Sequence, residues 1–96
     1  MEEKRMAGNY EVTTAFEIGT KEIIIGEDKT AAPDERFVVA NYENNGIFER
    51  YVDALVGGDY AEIVKIFAER VKNEAEKVID EKSKISVDMT PITKDG

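Results

Sequence analysis

The chain has 96 residues, no cysteine, no histidine and a formal net charge of −8. That length suits one domain, and the missing residue types exclude disulfides, thiolate nucleophiles, Cys/His zinc sites and any histidine-based triad within the chain. Apolar residues make up 42% and charged residues 35%, so an ordinary core sits inside a surface more charged than the average of about 25%.

The acidity is uneven. Nine acids and four bases in residues 1–35 leave −5 there, whereas the stretch from Ser83 onward is neutral. No basic stripe is available to displace phosphate counterions, so direct binding to nucleic acid or to an anionic membrane is not expected. A basic protein partner suits the charge better. No apolar run approaches the ~18 residues of a membrane span. Met1-Glu2-Glu3-Lys4-Arg5 leads into no signal-peptide core, and the expected location is the cytoplasm.

Residues 1–9 read as a flexible, charged arm, followed by a single α+β domain over residues 10–82. Tyr10, Val12, Thr14, Phe16 and Ile18 alternate with Glu11, Thr13 and Glu17, the period of a half-buried antiparallel strand. Gly19-Thr20 predicts a two-residue type II′ turn. The return strand runs from Lys21 to about Gly26 through the β-branched Ile23, Ile24 and Ile25. Glu27 to Glu35 is an acidic loop, and Pro33 opposes regular structure in it. Phe37, Val38, Val39 and Ala40, apolar on both faces, predict a third strand in the middle of the sheet.

Asn44-Asn45-Gly46 breaks that strand, and either asparagine suits a cap. Ile47, Phe48, Tyr51, Val52 and Leu55 recur at helical spacing and predict a short amphipathic helix, closed by Gly57-Gly58. Asp59 with Glu62 three residues on predicts the start of a second helix. Its stripe of Tyr60, Ile63, Val64, Phe67, Val71, Ala75, Val78 and Ile79 extends to about Glu81, roughly 33 Å at about 1.5 Å per residue. From Ser83, Ile85, Val87 and Met89 alternate, so residues 83–96 are either a tail or a short edge strand. The expected fold is thus a three-stranded antiparallel sheet, four-stranded if the tail joins it, with a short helix and a long C-terminal helix packed on one face.

The acids Glu27, Asp28, Asp34 and Glu35 offer paired carboxylates for acid–base or metal chemistry, but they lack the ligand alternation and mid-loop glycine of a calcium-binding loop. A solvated cluster is the simpler reading. Gly57-Gly58-Asp59 lacks the Gly-Lys-Ser/Thr ending of a phosphate loop. Tyr10, Tyr42, Tyr51 and Tyr60 read as core-edge residues. On the long helix, Lys65/Glu69, Arg70/Glu74, Lys72/Glu76 and Lys77/Glu81 are four apart and support an exposed face. A helix of that length outruns a sheet of strands near ~20 Å, which makes Phe67, Val71, Ala75, Val78 and Ile79 candidates for self-association. No catalytic, cofactor-binding or metal residue is singled out, and no cofactor is expected.

Four segments, Ile18-Gly19-Thr20-Lys21-Glu22, Asn45-Gly46-Ile47-Phe48, Gly58-Asp59-Tyr60 with Glu62-Ile63-Val64, and Phe67-Ala68-Glu69-Arg70-Val71-Lys72, carry a resemblance. The chain resembles, over residues 10–80, small uncharacterised proteins associated with mobile elements of Gram-positive anaerobic bacteria. The resemblance implies a bacterial, intracellular setting and carries over no activity. The leading functional expectation is a non-enzymatic accessory or protein-interaction domain whose expected partner is a second copy of itself. One alternative is an acidic DNA mimic that inhibits a nucleic-acid enzyme. Another is a small-ligand or metal-assisted enzyme using carboxylates.

Overall fold

The computed structural model describes residues 4–85, folded as five antiparallel strands and one long helix. The strands are β1 (Met6–Ala7), β2 (Tyr10–Ile18), β3 (Lys21–Glu27), β4 (Phe37–Asn44) and β5 (Glu49–Gly57), and the helix is α1 (Tyr60–Ile85). They form a meander in which each strand neighbours the next, in the order β1-β2-β3-β4-β5. Two expectations need correction. The sheet has five strands, and the short helix expected over Ile47–Leu55 is strand β5. Met6 and Ala7, within the stretch read as an arm, form β1. The alternation over Val87 and Met89 lies outside the described residues, whereas Ile85 ends α1.

The β2–β3 hairpin turns at Gly19-Thr20, with Gly19 at φ +63° and Thr20 at negative φ, as a II′ turn requires. Ile23, Ile25 and Val39 point to one face and are covered by Ile63 of α1, with Ile18, Phe37, Ile66, Phe67 and Val71 packed around them. Ile24 and Ala40 point to the other face. β4, apolar on both sides, is an interior strand between β3 and the edge strand β5 and is buried at Val38, Val39 and Ala40.

Two β-bulges break the period of two. On β2, Val12 pairs with Gly26 but Thr14 pairs with Ile25, so Thr13 is the extra residue. Val12 therefore joins Ile24 and Ala40, while Ile18 joins the helix side. On β5, Val52 pairs with Asn41 and Leu55 with Val39, leaving Asp53 and Ala54 opposite Ala40. Asp53 takes φ +56°, the conformation usually filled by glycine in such bulges. The extra residue puts Val52 and Leu55 on one face at a spacing of three, which is why β5 imitates a helix in sequence.

Bulges strengthen twist and bend strands, and this sheet curls until its ends approach. Arg5, preceding β1, reaches Tyr51 of β5 at the opposite edge: its Nε donates to the Tyr51 hydroxyl at 2.9 Å. Its other guanidinium nitrogens donate to Glu22 at 2.7 and 3.2 Å, and the group lies 4.8 Å from the Tyr42 ring centre. Ala7 is folded down onto Ile24 and Ala40. Helix α1 closes the other face. It starts at Asp59, whose Oδ1 accepts from the amides of Ala61 and Glu62. Further along, Arg70 donates to Asn41 of β4 at 3.1 Å.

Candidate functional site

The helix-free face is concave and holds a cavity of about 470 Å³, within the usual range of small-molecule sites. Its floor is apolar and made of Ala7, Val38, Ala40 and Val56, with Ala54 and the rings of Tyr10 and Tyr51 as walls. Small side chains at Ala40 and Ala54 line the hollow. At Gly26 a Cβ would stand 2.9 Å from Tyr10 Cβ and 3.1 Å from Val38 Cγ1, so glycine lets Tyr10 lean over β3.

The outer wall is the loop over residues 28–36. Asp28 Oδ1 accepts from the amide and hydroxyl of Thr30 at 2.9 and 2.6 Å, and these bonds lower its carboxyl below the ordinary value. The Asp28 amide donates to the Arg36 carbonyl, and Glu35 closes a short 3-10 turn by donating to Ala32. Gly58 anchors this loop against the end of β5, because a Cβ there would collide with the backbone of Pro33 and Asp34. Gly58 is therefore a close-approach device between a strand and a loop, and the Gly57-Gly58 pair does not end a helix.

Tyr10 joins the wall to the sheet by donating its hydroxyl to the Glu35 carbonyl at 2.7 Å. Desolvation first, then the charges of Glu35 and Asp28, push its phenol above 10. Both carboxylates thus act at one rim of the cavity. No lysine or arginine lines it.

The acids of the loop do not converge into a metal centre. Glu27 is paired with Arg36 at 2.6 Å, Asp28 caps its own turn, and among the described residues no group of three or more metal-ligating side chains exists. Glu11, Glu22, Glu43 and Glu74 also carry basic partners, whereas a DNA mimic would need unpaired acids in a regular row.

The candidate self-association residues fall into different surroundings. Phe67 and Val71 pack on the helix-side core. Val78 sits against the β2–β3 turn, where a Cβ on Gly19 would come within 2.8 Å of its Cγ2, and Ala75 is half-buried. Ile79 is 63% exposed. Larger apolar exposure lies on the β4–β5 hairpin, at Ile47 (85%), Phe48 (49%), Leu55 (42%) and Val56 (43%). At the tip Asn45 Oδ1 accepts from the amides of Ile47 and Phe48, so the asparagine caps a hairpin turn. The outer edge of β5 has no strand partner among the described residues.

Sequence reasoning missed the cavity because its residues come from four separate stretches of chain brought together by the curl. The available hint was the small side chains at Ala40 and Ala54. No helix among the described residues is long and apolar enough to cross a membrane. No protein-family model, curated protein or solved structure matches the chain.

Proposed function

We propose that the protein is a non-enzymatic accessory domain of a bacterial cell that works by protein–protein contact and self-associates through its β4–β5 hairpin. The observation that carries this reading is the exposure of Ile47 and Phe48 at the hairpin tip and of Leu55 on β5, whose outer edge lacks a strand partner among the described residues. Unpaired strand edges are templates for pairing with another chain, and adjacent exposed apolar groups such as those of the tip favour interfaces. The bulge at Asp53 interrupts the edge, so backbone pairing is confined to one side of it, with side-chain contacts from the tip supplying the rest.

Light scattering over a concentration series tests this. A dimer that Phe48→Lys or Leu55→Lys splits while circular dichroism stays unchanged supports the reading. A wild-type monomer up to about 1 mM, a weak limit for a specific contact, refutes it. Dissociation by Ile79→Glu alone would move the interface to the distal helix.

A further inference from the structure

The cavity on the concave face has features that self-association does not use. It is apolar at the bottom and acidic at one rim, and no lysine or arginine among the described residues lines it. Asp28 and Glu35 both line the mouth, and Tyr10 donates its hydroxyl to the Glu35 carbonyl there at 2.7 Å. The Glu35 carboxylate is engaged by no base among the described residues, since Arg36 turns away to Glu27. The neighbouring Arg5 is already held by Glu22. The floor is preformed, with Val38 and Ala40 in the packed core and the loop wall fixed by Gly58 and by the Tyr10–Glu35 bond.

We propose that this cavity binds a small organic cation, an ammonium group carried on an aliphatic or aromatic body. The body lies on Val38, Ala40, Ala54 and Val56 and along the Tyr51 ring. The ammonium stands at the rim between Glu35 and Asp28, where it meets the negative charge and can also lie against the face of the Tyr10 ring. An anion of the same shape is repelled by the same carboxylates, and a neutral one gains only the apolar contact. That ordering distinguishes the site from a merely greasy hollow.

The test is a titration of the full chain with n-hexylammonium chloride, followed by amide and methyl NMR shifts, with n-hexanol and hexanoate as matched probes. The expected result is saturable shifts centred on Ala7, Val38, Ala40, Ala54 and Val56. Hexylammonium should bind about fivefold tighter than hexanol, with hexanoate weaker still. Glu35→Gln, which leaves the Tyr10 bond to the Glu35 carbonyl in place, should weaken the ammonium by about threefold and leave hexanol unchanged. Ala54→Phe, at an exposed position of β5, should fill the cavity and remove binding of both. Equal affinity for hexanol and hexylammonium would overturn the proposal. So would hexylammonium shifts that do not saturate by about 50 mM, or that survive Ala54→Phe in a folded protein. Light scattering of the same samples reads the hairpin contact separately, so failure of either idea leaves the other open to its own result.

Discussion

Adjacent glycines at 57 and 58 give a sharp test of how the loop wall is anchored. A Cβ on Gly58 would overlap the Pro33 carbonyl oxygen and lie 2.8 Å from Asp34 Cα. Both obstacles are backbone and cannot rotate away. A Cβ on Gly57 would meet only Ile63 Cδ1 at 3.7 Å, an ordinary contact. Overpacking costs about 1–3 kcal/mol, while replacing glycine by alanine lowers unfolded-chain entropy and returns about 0.4–1 kcal/mol. Gly58→Ala should therefore destabilise by about 1–2 kcal/mol net, or roughly 5–15 °C in Tm for a chain of this size. Gly57→Ala should change Tm by less than about 4 °C, in either direction. Thermal unfolding by circular dichroism with a urea titration measures both. Equal Tm values for the two variants would show that the loop does not bear on the end of β5, and the wall of the cavity would lose its anchor.

Ile63 is 1% exposed and is the helix residue in the centre of the core, so Ile63→Ala should lower the urea-derived stability by about 2–5 kcal/mol; a loss below about 1 kcal/mol would mean the helix is not seated there. Arg5→Ala removes the contacts to Glu22, Tyr42 and Tyr51, but the guanidinium is 39% exposed. Its cost should be about 1 kcal/mol or less, with faster amide exchange at Met6 and Ala7 as the more sensitive readout. The Tyr10 phenol should titrate above 10 in an absorbance titration, and Glu35→Gln should bring it down. Because the folded-state value is raised, the stability linked to it is present below the unfolded value and is lost as pH rises through 10. A Tyr10 titration at the ordinary value would show that the phenol is neither desolvated nor close to the rim carboxylates.

Local rules with short range were legible. The β2–β3 hairpin with Gly19 at positive φ, the two-sided apolar run of β4 and the Asp59 cap each follow from residues within a few positions of each other, and all are in the structure. What escaped depends on non-local pairing. The bulge at Asp53 shifts Leu55 onto the face of Val52, and this spacing of three is indistinguishable from one side of a helix until β4 is in place beside it. The bulge at Thr13 places Val12 and Ile18 on opposite faces, although strict alternation puts them together. β1 has two residues, too few for any period, and owes its place to Ala7 packing on Ile24 and Ala40 and to the Arg5 bridge. The helix stripe is covered within the chain only in part, since Ile79 is exposed and α1 runs on to Ile85. α1 follows the curled sheet as far as the β2–β3 turn, so Val78 finds a partner within the chain.

β5 joins the two proposals physically. Leu55 pairs with Val39 on the helix side, whereas its neighbour Val56 pairs with Val38 and lines the cavity. A second copy that grips the outer edge of β5 therefore touches one wall of the ligand site from behind. If hexylammonium fixes β5 in the conformation that the partner strand requires, it must tighten the dimer, and by linkage the dimer must tighten the ligand by the same factor. The dimerisation constant with and without saturating ligand measures that factor, and the ligand affinity at low and high protein concentration measures it independently. Agreement between the two, with Leu55→Lys abolishing the concentration dependence while leaving monomer binding intact, would place the coupling in β5. A factor near one in both would mean that the cavity and the edge act independently, even though they share a strand.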